Sequence, residues 1–250
     1  MVGGLSLVPG GGSRAAEQCA PAKAGTQFLS APEGTGFLLS QENWNLPRPY
    51  HPTLSELFAA SPRDAGWAGF LLAQTDYEKP LLWVQDRMAI LESGRIYPPG
   101  LWPRGESPEL IHVEARDAKL ALWAMEEGLR CSGLSGVIGE LWGDPAALDF
   151  TATRRLAVAA ERSGVPCWLV RLAGTANLSG ARMRWRIASS PSIVNPLDPR
   201  APGSSAWDAE LFRARGHQPG RWSIACEADT FHLVATAGGG SLAENERRRA

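Results

Sequence analysis

The stretch LALWAMEEGLRCSGLSGVIGEL, residues 120–141, decides the fold of this chain. Its first half has the spacing of an amphipathic helix over 117–130, with Asp117 at the N-cap position. Its second half is a short apolar run that ends at Glu140, which is typical of a buried strand with a carboxylate near its carboxyl end. The apolar stripe of the predicted helix consists of Ala118, Ala121, Leu122, Met125 and Leu129.

The segments before and after this stretch also alternate between strand and helix patterns. Alternating strands and helices of these lengths predict right-handed crossovers and a largely parallel central sheet with helices on both faces. After residue 172 only strands follow, which predicts a C-terminal antiparallel extension. The predicted elements are an apolar element at 54–58; helices at 65–74, 117–130 and 149–163; strands at 80–85, 109–115, 136–141 and 165–172; and late strands at 181–188, 207–215, 222–227 and 231–235.

Composition divides the chain into three parts. Residues 1–48 are rich in Gly, Pro, Ser and Ala and are expected to be poorly ordered. Residues 49–237 carry the strand and helix patterns and are expected to form the α/β domain. Residues 238–250 are polar and are expected to be a flexible tail.

Charge and cysteine content exclude several classes of protein. The formal net charge of −1 over 250 residues indicates neither a nucleic-acid-binding nor a membrane-binding protein by charge alone. The 4 cysteines form no CxxC pair, so we expect no zinc or redox site. No apolar run is long enough for a membrane span, and we expect a cytoplasmic protein.

The position at which an ATPase would carry its phosphate loop has a different sequence here. Such a loop needs Gly-Lys-Ser/Thr at the start of a helix, and the chain contains no Gly-Lys dipeptide. Residues 59–67 read AASPRDAGW, in which Arg63 could meet a phosphate but Asp64 would repel one. Glu140 is then a residue at the end of a strand rather than an organiser of magnesium. We therefore predict no catalytic residues, no cofactor and no metal.

Arginines alternate with apolar residues on two of the late strands. On a strand this alternation places Arg182, Arg184 and Arg186 on one face, and Arg213 and Arg215 repeat the pattern on a later strand. The face is either a solvated surface or a binding surface for a partner or DNA. In the second case, replacing the first three arginines with serine should weaken binding and leave thermal stability nearly unchanged. Trp102, in a loop rich in Pro and Gly, is a further candidate for an interface anchor.

Several segments resemble the ImuA family of alphaproteobacterial SOS-mutagenesis proteins. The resemblance covers about 52–236 and rests on ALWAMEEGLRCSGLSGVIGEL, LDFTATRRLAVAAERSGVPCWLVRL, ARMRWRIASSP and ELFRARGHQPGRWSI. It implies a RecA-like or SulA-like fold of the P-loop NTPase type, here with a degenerate phosphate loop. It also implies an accessory role in translesion synthesis beside an ImuB-type inactive Y-family polymerase and an error-prone replicative-type polymerase. RecA is a further expected partner, and any contact with DNA is expected to be indirect.

The main functional hypothesis is a non-enzymatic adaptor in damage-induced mutagenesis. Two alternatives stay open at this stage. One is a SulA-like inhibitor of cell division that binds a tubulin-like GTPase, which would also lack an ATP site. The other is a RecA-like protein that retains ATP binding without the usual lysine.

Overall fold

The computed structural model describes residues 5–8, 46–75, 78–101, 109–195, 197–227 and 230–234. Their strands form one ten-stranded sheet in the order β1-β4-β3-β5-β6-β2-β7-β8-β9-β10. The strands are β1 Leu5–Val8, β2 Leu54–Ala59, β3 Leu81–Asp86, β4 Leu110–Ala115, β5 Gly136–Trp142, β6 Cys167–Leu172, β7 Met183–Ser190, β8 Ala206–Ala214, β9 Gly220–Glu227 and β10 Thr230–Val234. The helices are α1 Gly66–Leu72, α2 Arg87–Ser93, α3 Pro98–Leu101, α4 Ala118–Gly128 and α5 Phe150–Ser163.

The six central strands, β4-β3-β5-β6-β2-β7, pair in parallel. Strands β8, β9 and β10 continue the sheet in antiparallel fashion beyond β7. This architecture confirms the α/β class, the mostly parallel sheet and the antiparallel C-terminal strands expected from the sequence. At the other edge, β1 pairs antiparallel with β4, and β1 lies inside the segment 1–48 that was expected to be poorly ordered. The boundaries at 1–48, 49–237 and 238–250 stay predictions.

Helices cover both faces of the parallel sheet, because successive residues of a buried strand point to opposite faces. On one face, Met125 of α4 packs so closely on β5 that a Cβ at Gly139 would lie 2.1 Å from its sulfur. On the other face, the ring of Trp67 in α1 lies 6.1 Å from that of Trp83, and Phe70 lies 5.4 Å from Trp185. The tryptophans at 83 and 185 are 1% and 0% exposed, as core residues should be.

Three helices begin at an aspartate whose carboxylate caps the first turn. Asp117 accepts a hydrogen bond from the Leu120 amide at 2.9 Å, which confirms the predicted cap of α4. Asp149 accepts from the Ala152 amide at 2.7 Å at the start of α5. Caps of this kind contribute about 1 kcal/mol each.

Helices α2 and α3 were not predicted from the sequence. Helix α2 follows β3 with no connecting residue, because Asp86 both ends the strand and caps the helix through the Ala89 amide at 2.6 Å. It ends at Gly94, whose φ of +91° is left-handed. Helix α3 directly precedes Trp102, in the stretch rich in Pro and Gly that the sequence pattern indicated to be a loop.

Within the part of the chain that the structure describes, no helix has the length and apolar character needed to span a membrane. In the same described part, no three His, Cys, Asp or Glu side chains are grouped so that they could hold a metal ion.

Candidate functional site

A cavity of about 380 Å³ opens at the carboxyl ends of β2, β3 and β5. Open α/β sheets bind their ligands at this edge, because the loops that leave parallel strands converge there. The cavity is bounded by residues 62–65 between β2 and α1 and by residues 92–96 after α2. Its deepest side chains are Trp67, Trp83, Gln85 and Glu140.

Glu140 is a carboxylate buried beneath this cavity, with 3% of its surface exposed. Its Oε2 accepts a hydrogen bond from Gln85 Nε2 at 3.1 Å, and its Oε1 accepts one from the indole N–H of Trp83. Strands β3 and β5 are in register at Gln85 and Glu140, which brings the two side chains together. Burial raises the pKa of Glu140 to about 7, although the two hydrogen bonds oppose this.

Gln85 is held in one orientation by four hydrogen bonds. Its Nε2 donates to Glu140 and, at 3.1 Å, to the carbonyl of Gly94. Its Oε1 accepts from the Ile96 amide at 3.2 Å and is paired with His112 Nε2 at 3.0 Å. Burial lowers the pKa of His112, which favours a neutral ring that donates to this oxygen. One amide N–H of Gln85 is thereby fixed toward the carboxylate of Glu140 and the other toward the carbonyl of Gly94.

Asp64 ties the connection between β2 and α1 to the carboxyl end of β7. Asp64 accepts from the Gly66 amide at 2.9 Å and from the Ser189 amide at 2.7 Å, and it also accepts from the Ser189 hydroxyl. Burial alone would raise the pKa of Asp64, but these hydrogen bonds together hold it below its usual value. A fixed negative charge therefore lies in the lining of the cavity, between β2 and α1.

The charged side chains that line the cavity carry a net negative charge. Asp64, Glu92 and Glu140 line it together with Arg63 and Arg95. The Arg95 guanidinium is paired with Glu114 through Nε and Nη2, which neutralises it. The remaining three carboxylates and one guanidinium give two net negative charges when all are ionised, so the cavity favours cations over anions.

The structure places Arg182, Arg184 and Arg186 in different surroundings. Arg182 pairs with Glu161 at 2.8 Å, and Arg186 pairs with Glu210. Arg184 is instead 3% exposed, so the prediction of a solvent-exposed face is wrong for this residue. Alternation along β7 places the three side chains on one face, but Phe58 and Phe212 cover the middle one.

Arg184 belongs to a buried ionic cluster made of Glu56, Arg171 and Arg184. Glu56 is 0% exposed and accepts from Arg184 Nε at 2.6 Å, and Arg171 Nη1 lies 3.9 Å from its other oxygen. The register of β2 and β7 sets Glu56 opposite Arg184. Burial lowers the pKa of Arg171, whereas Glu56 and Asp144 raise it. A buried cluster of this kind is stable only while each charge keeps a partner of opposite charge.

Aromatic rings complete the surroundings of the two buried guanidinium groups. Among the described residues, Arg171 Nε and Arg184 Nη2 have no hydrogen-bond partner. The Arg184 guanidinium carbon lies 5.2 Å from the ring centre of Phe58 and 5.3 Å from that of Phe212. The Arg171 carbon lies 5.5 Å from the ring of Phe58. Ring faces attract cations at these distances and offset part of the missing hydrogen bonding.

The other residues predicted to bind partners or DNA are not tested by the structure. Arg213 and Arg215 are exposed on or next to β8. Trp102 lies outside the described residues. The binding roles of all six predicted residues stay predictions, and those of Arg182 and Arg186 would require a partner that competes with Glu161 and Glu210.

Sequence reasoning missed Gln85, Glu56 and Arg171 as members of these clusters. A signal existed for two of them, since Glu56 interrupts the apolar run LSELF and Arg171 interrupts CWLVRL. A charged residue within an otherwise apolar strand indicates a buried partner of opposite charge.

Comparison with known proteins gives two relatives, both named Protein ImuA, from two strains of Caulobacter vibrioides. Each is 34% identical to this chain over 147 residues, which covers 53% of this chain. The matched stretch spans 57% of the length of each relative. No protein-family model matches the chain. The similarity agrees with the resemblance carried by the helix and strand segments of the sequence, and it supports membership of the ImuA family.

Proposed function

We propose that this protein is a non-catalytic accessory of SOS-induced translesion DNA synthesis and mutagenesis. It would act as an adaptor for an ImuB-type inactive Y-family polymerase and an error-prone replicative-type polymerase, with RecA as a further partner. Similarity to the two ImuA proteins is the observation that carries this proposal.

The arrangement of the cavity supports the non-catalytic part of the proposal. We propose that the sheet is a RecA-like core with a degenerate phosphate loop. The supporting observations are the absence of a Gly-Lys dipeptide, the use of Asp64 to hold Ser189, and the net negative charge around the cavity. Each of these features disfavours the triphosphate of ATP.

The exposed face of β7, β8 and β9 supports the adaptor part. Arg186, Glu210 and Arg221 form a chain of ion pairs across the three strands, in which the two arginines are exposed and Arg221 Nη2 lies 2.8 Å from Glu210. Arg213 and Arg215 lie exposed at the end of the same strands. Side chains of both signs on an open sheet face can select a partner by charge complementarity.

An affinity pull-down from DNA-damaged cells of the source organism tests the adaptor role. The tagged protein is expected to recover the ImuB-type protein or the error-prone polymerase, identified by mass spectrometry. Replacing Arg213 and Arg215 with serine should reduce that recovery several-fold, because charged groups on an interface set its partner choice. The matched control replaces Arg116 and Arg130, which are exposed and paired with neighbouring acids, and should leave recovery unchanged.

Two results would contradict the adaptor role. One is recovery of neither polymerase-type protein from damaged cells. The other is recovery of a tubulin-like GTPase in their place, which would support the SulA-like alternative.

A further inference from the structure

We propose that the cavity at the carboxyl ends of β2, β3 and β5 is a docking pocket for an arginine side chain of a partner protein, with Glu140 as its counterion. This inference rests on the adaptor function proposed above and names the chemistry by which a partner is held.

The first argument is the uncompensated charge of Glu140. The described part of the chain places no cationic side chain in an ion pair with this carboxylate, and its two hydrogen-bond donors are both neutral. A buried carboxylate without a cation is costly, and the cost is relieved when a cation arrives. Each oxygen uses one acceptor position, which leaves positions for two further N–H groups.

The second argument is the shape of the surroundings. Trp67 and Trp83 line the cavity with their rings inclined at 46° to each other. A planar guanidinium can stack on an indole face while donating two parallel N–H groups to a carboxylate. A lysine ammonium offers one point charge and no plane, so it meets fewer of these features. The net negative charge of the lining attracts either cation but repels a phosphate.

The third argument concerns the mouth of the cavity and favours a macromolecule over a free metabolite. Leu91 and Tyr97 are the chain neighbours of the lining residues Glu92 and Ile96, and they are 64% and 70% exposed. Met88, on the same short helix as Leu91, is 47% exposed. Exposed apolar residues next in the chain to a polar anchor site are typical of an interface hot spot.

A titration of the isotope-labelled full chain with blocked amino acids tests the pocket without any partner. The probe is Nα-acetyl-arginine amide, and the reporter is the indole N–H signal of Trp83, which donates to Glu140. We expect a saturable shift with a dissociation constant on the order of millimolar. The citrulline analogue, which has the same shape without charge, should produce no saturable shift, and the lysine analogue should bind several-fold more weakly.

Variants locate the binding at Glu140. Glu140→Gln should weaken arginine binding about tenfold or more, because the charge-assisted pair is lost. Glu127→Gln is the matched control, since Glu127 is exposed on α4, which packs on the opposite face of the sheet. If Glu140→Gln does not fold, the comparison of arginine with citrulline on the unaltered protein still tests whether the pocket binds the charged guanidinium.

Equal responses to arginine and citrulline, no response to arginine, or a stronger response to magnesium-ATP would each overturn the proposal. These failures are separate from failure of the adaptor role, because the titration contains no partner. In the pull-down, Glu140→Gln should also recover several-fold less polymerase-type protein. Arginine binding in the titration with undiminished recovery by this variant would contradict docking by the partner.

Discussion

Replacing Glu56 with glutamine is expected to lower the free energy of unfolding by about 3–5 kcal/mol. The carboxylate is 0% exposed and is the shared counterion of Arg171 and Arg184, each of which is 3% exposed. Without it, two guanidinium groups lie buried between β2, β6 and β7, and only Arg171 retains a partner, in Asp144. Denaturant unfolding followed by circular dichroism measures the change as a shift of the midpoint at constant m-value.

The partly exposed ion pairs of Arg182, just before β7, and Arg186, on β7, provide the control. Arg182→Ser removes a pair whose side chains are 32% and 37% exposed, and such pairs contribute about 0.2–1 kcal/mol. Arg186→Ser should likewise have a small effect, whereas Arg184→Ser should cause a large loss. The structure thus revises the expectation that serine at all three positions leaves stability nearly unchanged. A loss below about 1 kcal/mol for Glu56→Gln would show that the cluster does not hold the strands together.

Glu140→Gln is expected to remove a pH dependence of stability. Burial raises the pKa of Glu140 from 4.5 to about 7, so the folded protein keeps a proton that the unfolded chain releases. The wild-type protein therefore binds more protons when folded between these values, and its unfolding free energy falls as pH rises through them. The full change is about 3 kcal/mol, from the difference between the two pKa values.

The difference in unfolding free energy between the wild-type protein and Glu140→Gln reports the titration of Glu140 separately from that of its neighbours. Asp86, whose pKa is also raised, and His112, whose pKa is lowered, remain in both proteins. The rim groups Asp64, Glu92, Arg63 and Arg95 are also shared. Relative to wild type, Glu140→Gln should gain about 3 kcal/mol between about pH 5 and about pH 8. Urea unfolding at each pH gives the free energy of unfolding as a function of pH, and Glu127→Gln should match the wild-type protein at every pH.

A difference between the two curves that does not change with pH would contradict the account of Glu140. A pH-independent part is expected beside the pH-dependent one, because a glutamine amide places an N–H group against either Gln85 or Trp83. That unfavourable contact costs about 1–3 kcal/mol at every pH. Only the slope of the difference with pH reports ionisation of the carboxyl group.

Periodicity in the sequence was sufficient to predict the main strands and helices but not their arrangement in the sheet. The stripe that includes Ala121 and Met125 and the aspartate at 117 indicated α4 correctly, because local spacing and capping act within one helix. The order of the strands in the sheet depends on the path of each crossover connection, and no local sequence pattern encodes that path. Helix α2 was missed because it follows β3 without a turn.

The candidate sites were harder to predict because they depend on what covers a strand. Alternation placed Arg184 correctly on the face of Arg182 and Arg186, but Phe58 and Phe212 come from other strands. Glu140 was interpreted as a residue at a strand end. Strand β5 continues to Trp142, and the unpredicted α2 with residues 92–96 helps to enclose the carboxylate. Burial at both positions is a property of the tertiary structure.

The most direct test of the central claim is the frequency of damage-induced mutation in a strain that lacks this gene. The account predicts a fall in mutants per survivor after ultraviolet damage, restored by the wild-type chain supplied from a plasmid. Spontaneous mutation without damage serves as the control and should not change. An unchanged damage-induced mutation frequency in the deletion strain would contradict a role in mutagenic translesion synthesis.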